Sequence, residues 1–165
     1  MREAKLEPNV IFSYSAGISA CEKGEQWQCA LELLGEMCEA KLEPNVILSY
    51  NAGISACEKG EQWLRALALL SEMRKAKVES TVISYSAGIS ACEKCWQWQR
   101  ALALLSEMWE VHMEPNIISC SAGVLACERA GKGQQAIWLL TETRDAKFES
   151  NVMSFSDAIV MAMRM

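Results

Sequence analysis

Apolar side chains recur along this chain at helical spacing. Trp27, Ala30, Leu31, Leu34 and Met37 fall at i, i+3, i+4, i+7 and i+10. The stripe returns as Trp63, Ala66, Leu67, Leu70, Met73 and as Trp98, Ala101, Leu102, Leu105, Met108. Glu, Ser, Arg and Gln fill the other positions, so the period is 3.6 and predicts amphipathic helix rather than strand. Between these stripes lie others such as Tyr14, Gly17, Ile18 and Cys21. There the small residues Gly17, Ala20 and Cys21 would let two helix backbones approach closely.

The stripes belong to a repeat. Ala-Gly-Ile-Ser-Ala-Cys-Glu-Lys occurs at 16–23, 52–59 and 87–94, with a worn copy, Ala-Gly-Val-Leu-Ala-Cys-Glu-Arg, at 122–129. Its cysteines, Cys21, Cys57, Cys92 and Cys127, are 36, 35 and 35 residues apart. A period of this size marks a tandem array. We divide the chain into the end of a preceding repeat (1–9), four repeats (10–45, 46–81, 82–116 and 117–151) and the first helix of a fifth (152–165). Residues 1–8 match 37–44, with cysteine for arginine at the second place, so the expectation is a piece of a longer array.

Each unit should fold as helix A, a short turn, helix B and a loop. Gly24 and Gly60 follow the Glu-Lys pair and are expected at the C′ position with positive φ. Pro8, Pro44 and Pro115 lie beyond helix B, where the residue before proline resists helical geometry. One hairpin cannot bury its apolar face alone, but stacked neighbours can. The predicted fold is therefore all-α: a right-handed α-solenoid of helix–turn–helix repeats. Unit 3 has Cys95 and Trp96 where the others turn through glycine. Unit 4 has Gly133 for the tryptophan and Thr143 for the methionine, and is expected to be the softest.

Composition is globular, with 51% hydrophobic and 22% charged residues. No apolar run approaches the roughly 18 residues of a membrane span. The net charge of −5 disfavours bulk electrostatic attraction to nucleic acid, but leaves room for a local strip of cations.

The Asn-Val-Ile-Ser-Tyr-type openings, the Cys-Glu-Lys element and the Ala-Leu-x-Leu-Leu-x-Glu-Met helix B hold their spacing through three or four copies. In this the whole chain resembles the pentatricopeptide repeat family. The resemblance implies single-stranded RNA as partner, read at one base per repeat by short polar side chains. The first reader in each unit follows the aromatic position: Ser15, Asn51, Ser86 and Ser121. The second closes the unit: Asn45, Thr81, Asn116 and Asn151. By the family's code the Ser/Asn pairs favour adenine and Asn51/Thr81 leans toward pyrimidine. Three residues before each first reader stand the implied base clamps, Phe12, Leu48, Ile83 and Ile118. Lys23, Lys59, Lys94 and Arg129, two residues after each cysteine, form a candidate phosphate ladder, opposed by Glu22, Glu58, Glu93 and Glu128. Four single-strand phosphate contacts would give a salt slope of about −3. The family also implies RNA processing, stability or translation in a mitochondrion or chloroplast, although no transit peptide is visible in this chain.

The remaining chemistry-bearing residues are expected to be structural. The repeat-locked cysteines read as small core residues in a reducing compartment. Cys92-Glu-Lys-Cys95 looks like CxxC only because Cys95 replaces a turn glycine, and no second CxxC or histidine cluster accompanies it. His112 is the sole histidine, with no recurring nucleophile or acid around it. Trp27, Trp63 and Trp98 belong to the helix B stripe, while Trp96 and Trp109 have no assigned role. Ser13, Ser49, Ser84, Ser119 and Ser154 are expected to cap helix N-termini. No triad, paired carboxylates or phosphate loop occurs, so we expect no enzyme, cofactor, metal, membrane or small-molecule substrate. The alternatives are a solenoid that binds a protein or peptide, and a non-functional fragment.

Overall fold

The computed structural model describes residues 7–40 and 46–145. The expected fifth segment lies outside them. The described residues form eight α-helices and no strand. In chain order they are α1 Glu7–Lys23, α2 Trp27–Glu39, α3 Val46–Lys59, α4 Trp63–Lys75, α5 Val82–Lys94, α6 Trp98–Glu110, α7 Ile117–Arg129 and α8 Gly133–Asp145. Each odd-numbered helix pairs with the even-numbered helix that follows it. Pro8 falls in the first turn of α1 rather than before it. Proline is tolerated there because the N–H it lacks would have no helical partner.

The layers follow from which helices touch. Neighbouring odd helices pack on one another (α1 on α3, α3 on α5, α5 on α7), and each even helix also packs on the next odd one. Among the described residues no two even helices pack backbone against backbone, although the Arg74–Glu107 ion pair bridges α4 and α6. The stack therefore bends toward the odd helices, which form a continuous inner layer. Its core lies in the seams between hairpins. Ile18, Ile54, Ile89 and Val124 enter from the odd helices, and Leu34, Leu70, Leu105, Met37, Met73 and Met108 from the even ones. These positions are the stripes read from the sequence. Truncating any such leucine to alanine would cost about 2–5 kcal/mol.

The turns close differently from expectation. Neither Gly24 nor Gly60 has positive φ. The left-handed residue is the next one: Glu25 (φ 57°), Glu61 (56°), Trp96 (62°) and Gly131 (67°). The hydrogen bonds explain the shift. Gln26 N–H reaches Cys21 O at 2.9 Å and Glu25 N–H reaches Glu22 O at 3.3 Å, the two bonds of a Schellman motif. The pattern recurs as Gln62 to Cys57 with Glu61 to Glu58, Gln97 to Cys92 with Trp96 to Glu93, and Lys132 to Cys127 with Gly131 to Glu128. Gly60 is needed for space instead: a Cβ there would lie 2.3 Å from Cδ1 of Trp27 on the preceding helix. In the third repeat Cys95 occupies this place with φ −98°, and its thiol donates to Glu61 O at 3.1 Å. In this repeat the left-handed strain therefore falls on Trp96 rather than on the residue that replaces the glycine, and Trp96 is 62% exposed.

These turns make opposite predictions. Trp96→Gly should stabilise the fold by roughly 0.5–1 kcal/mol, because an L-residue leaves the left-handed region and little burial is lost. Gly60→Ala should destabilise it by about 1–3 kcal/mol by overpacking against the Trp27 ring. Urea unfolding of the two variants beside the parent checks both signs.

Candidate nucleic-acid interface

The N-terminal turns of the odd helices carry the chemistry that distinguishes the inner layer. Phe12, Leu48, Ile83 and Ile118 occupy equivalent places in α1, α3, α5 and α7. They are 72%, 61%, 62% and 61% exposed. Large apolar side chains are held in water at the same point of four successive repeats. Packed helices stand about 8–10 Å apart. A flat ring would fit between neighbouring members of such a row.

One turn further along each helix come the candidate readers. Ser86 is 6% exposed, and its hydroxyl hydrogen is shared between Val82 O at 2.7 Å and Asn116 Oδ1 at 3.2 Å. Asn51, 8% exposed, donates from Nδ2 to Thr81 Oγ1 at 3.4 Å and accepts from Ser84 Oγ at 2.5 Å. The two residues of each complete pair thus meet, although 30 positions separate them in sequence. Ser15 is half-buried and bonds to Ser49 Oγ at 3.1 Å, and Ser121 is half-buried too. Their partners Asn45 and Asn151 lie outside the described residues.

Thr81 and Asn116 carry a second duty. Thr81 caps α5 in a reciprocal capping box with Ser84, and Asn116 caps α7 by accepting the Ser119 N–H at 2.9 Å. The N-caps are therefore these residues, and Ser84 and Ser119 sit at N3. Ser49 is buried against Ser15 instead, and Ser154 lies outside the described residues. The Ser119 bond fixes the Asn116 amide with Oδ1 inward. Its NH2 end has no bond to another described residue. The pair thus offers a donor from Asn116 beside the lone pairs of Ser86.

A tyrosine precedes the reader in three repeats and anchors that stretch of helix. Tyr14 donates to Glu36 Oε2 at 3.1 Å and Tyr85 to Glu107 Oε1 at 2.9 Å. The Glu36 bond raises the pKa of Tyr14; burial raises that of Tyr85. Arg74 of α4 also pairs with Glu107, tying two even helices to one acid. Tyr50 contacts Cys38 Sγ at 3.5 Å.

The cations stand about 12 Å along the helix from the readers, eight residues at about 1.5 Å each. They are engaged. Lys59 pairs with Glu22, Lys94 with Glu58 and Arg129 with Glu93, each at 3.1 Å. Each partner is the acid of the preceding repeat, not the glutamate adjacent in sequence. Lys23 is exposed.

Comparison with known proteins agrees with this geometry. A family model described as the pentatricopeptide repeat domain matches residues 1–60 and 69–124, and the single-repeat model matches 48–78. The chain belongs to the pentatricopeptide repeat family. The crystal structure of the pentatricopeptide repeat protein PPR10 from maize is similar at a TM-score of 0.75 and 24% identity, over 89% of this chain and 21% of that one. PPR10 in complex with an 18-nt psaJ RNA element gives 0.70 and 22%, over 93% and 24%. This chain spans less than a quarter of those structures, and the likeness concerns the fold. No curated protein sequence matches. No described helix is long and apolar enough to cross a membrane.

Of the repeat-locked cysteines of this pentatricopeptide repeat array, three lie in the core as expected, and Cys21 is half-buried against it. Cys57, Cys92 and Cys127 are fully buried, and burial raises their pKa from 9.0 to about 11, 12 and 11. Cys120 is buried as well and rises to about 11. Trp27, Trp63 and Trp98 pack against the core as expected. His112 is exposed and forms the left-handed turn after α6, with φ 56°.

The buried thiols and the Asn116 cap each have measurable consequences. At pH 8 a thiol reagent should modify exposed Cys29 and Cys38 at once and leave Cys57, Cys92, Cys120 and Cys127 untouched until the chain unfolds. The unfolded thiols ionise near pH 9 and the folded ones only near 11–12, so stability should be intact below pH 9 and fall as pH rises through that window. Asn116→Ala should remove a cap and cost about 0.5–2 kcal/mol, whereas Asn116→Asp should not, as thermal unfolding would report.

Proposed function

We propose that this chain is a sequence-selective single-stranded RNA-binding module that reads one base per repeat. The observation that carries the reading is the row Phe12, Leu48, Ile83 and Ile118, exposed at one point of four successive helices beside the polar pairs. Family membership and the RNA complex of PPR10 support it. Bases would stack between neighbouring members of the row. Such stacking contributes about 1–3 kcal/mol per base. Lys23, Lys59, Lys94 and Arg129 would meet the backbone phosphates.

The polar pairs would choose the base. Asn116 can donate to adenine N1 while Ser86 accepts from the adenine amino group, and small serine leaves room for a purine. The same pairing would act at Ser15/Asn45 and Ser121/Asn151. Asn51/Thr81 uses a bulkier first residue, which favours a pyrimidine. In the family's parallel sense the target is 5′-A-pyrimidine-A-A-3′. We place this activity in RNA processing, stability or translation in an organelle, and assign the chain no catalytic role. Repeat boundaries at 10–45, 46–81, 82–116 and 117–151 give each unit one polar pair, its first member early in helix A and its second closing the unit.

A panel of short labelled RNAs tests the reading. A-U-A-A should bind tightest, and Asn116→Asp should shift the third position from A to G, because a carboxylate accepts from guanine N1–H and N2–H. Equal affinity for A-rich and G-rich oligomers would remove the code. Salt-insensitive capture of an apolar peptide, with no RNA bound, would favour the protein-binding alternative.

A further inference from the structure

At three successive junctions a cation in the last turn of one odd helix is held by a carboxylate in the last turn of the previous one. The geometry repeats at 3.1 Å in Lys59–Glu22, Lys94–Glu58 and Arg129–Glu93. Lys59 also donates to Glu22 O at 3.3 Å. The acid is the less exposed member each time, with side-chain exposures of 25%, 23% and 10% against 36%, 35% and 44%. An acid at a helix C-terminus opposes the helix dipole, so the odd helices gain nothing from these glutamates themselves. Their favourable interaction is with the next repeat.

We propose that Glu22, Glu58 and Glu93 are built-in competitors of the RNA phosphate, so that the strand binds by displacing three internal ion pairs. The proposal rests on the reading of Lys59, Lys94 and Arg129 as phosphate contacts. Its consequence lies in ion counting. A phosphate that meets a free lysine releases its condensed counterion, which gives a single-strand slope of about −0.7 per contact. A phosphate that meets a lysine already held by glutamate releases the same ion but leaves a bare carboxylate, which recruits a cation from solution. The two nearly cancel. Lys23 has no such acid among the described residues, and it alone keeps its full contribution. The parent chain should therefore bind with a slope of about −1, not the −3 that four free cations would give. The ladder thus lowers affinity at low salt and makes it nearly constant as salt rises. It also discourages any polyanion that cannot add the base contacts.

The test is Glu22→Gln/Glu58→Gln/Glu93→Gln against Glu32→Gln/Glu39→Gln/Glu110→Gln, which changes net charge equally on exposed parts of α2 and α6. Affinity for a labelled RNA carrying A-U-A-A is measured from 50 to 300 mM salt. The Glu22 and Glu58 pairs are partly exposed and contribute little to stability, and at nearly buried Glu93 glutamine keeps the shape while Arg129 stays 44% exposed to water, so both variants should fold, and circular dichroism checks this. Expected is roughly tenfold tighter binding of the first variant at low salt, with a slope near −3, and less than threefold change in the second. Matching behaviour of the two variants, or a parent slope already near −3, overturns the competition. Lys59→Gln/Lys94→Gln/Arg129→Gln separates this from failure of the underlying reading. If it weakens RNA binding in the glutamine background, the phosphate contacts stand whatever the glutamates do. If it changes nothing in either background, the phosphate contacts fall, and the competition with them.

Discussion

The structure depends on the seam where the second helix of one hairpin meets the first helix of the next. No hairpin buries its own apolar stripe. Leu34, Leu70 and Leu105 are covered only because a neighbour arrives at the right height, and Trp27 finds its place only because Gly60 leaves one open. The seam fixes the offset between odd helices. Once that offset is fixed, every feature of an odd helix becomes a row. The exposed apolar positions, the polar pairs and the ion pairs are three readouts of the same translation.

Much of this was legible in the chain because burial on a helix has a period. The stripes named the core, and the repeat named the equivalent positions. What the period could not supply was the neighbour across the seam. Glu22 and Lys23 are adjacent in sequence, and adjacent helical residues do not face each other. Each turns to a different junction, and the lysine that Glu22 holds is Lys59. The turn glycines misled for a related reason. A glycine after a helix signals a left-handed residue, yet here the hydrogen bonds move that residue one place on and the glycine answers to Trp27. The caps followed suit, passing from the early serines to Thr81 and Asn116.

That last shift joins stability to the site. The residue proposed to touch the base is also the residue that starts the next helix. Asn116 is held by the Ser119 N–H, so its amide cannot rotate freely to suit any base. A reader fixed by a cap is already oriented before RNA arrives, and less side-chain entropy is lost on binding.

On the proposed reading, the bonding of the polar pairs sets how selection would work. Ser86 and Asn116 are bonded to each other while the groove is empty, and Asn51 is bonded at both ends of its amide. On that reading a base at Ser86/Asn116 adds to that bond, using the open Asn116 NH2 and the Ser86 lone pairs, whereas a base at Asn51 must exchange bonds already made. A fitting edge then leaves no polar group unpaired, and stacking on the apolar row adds to it. A base of the wrong pattern leaves a nearly buried donor or acceptor without a partner, at about 1–3 kcal/mol. Discrimination in such a groove comes from the penalty for mismatch more than from the strength of the match. It multiplies along the array only as far as the seams keep successive pairs in register.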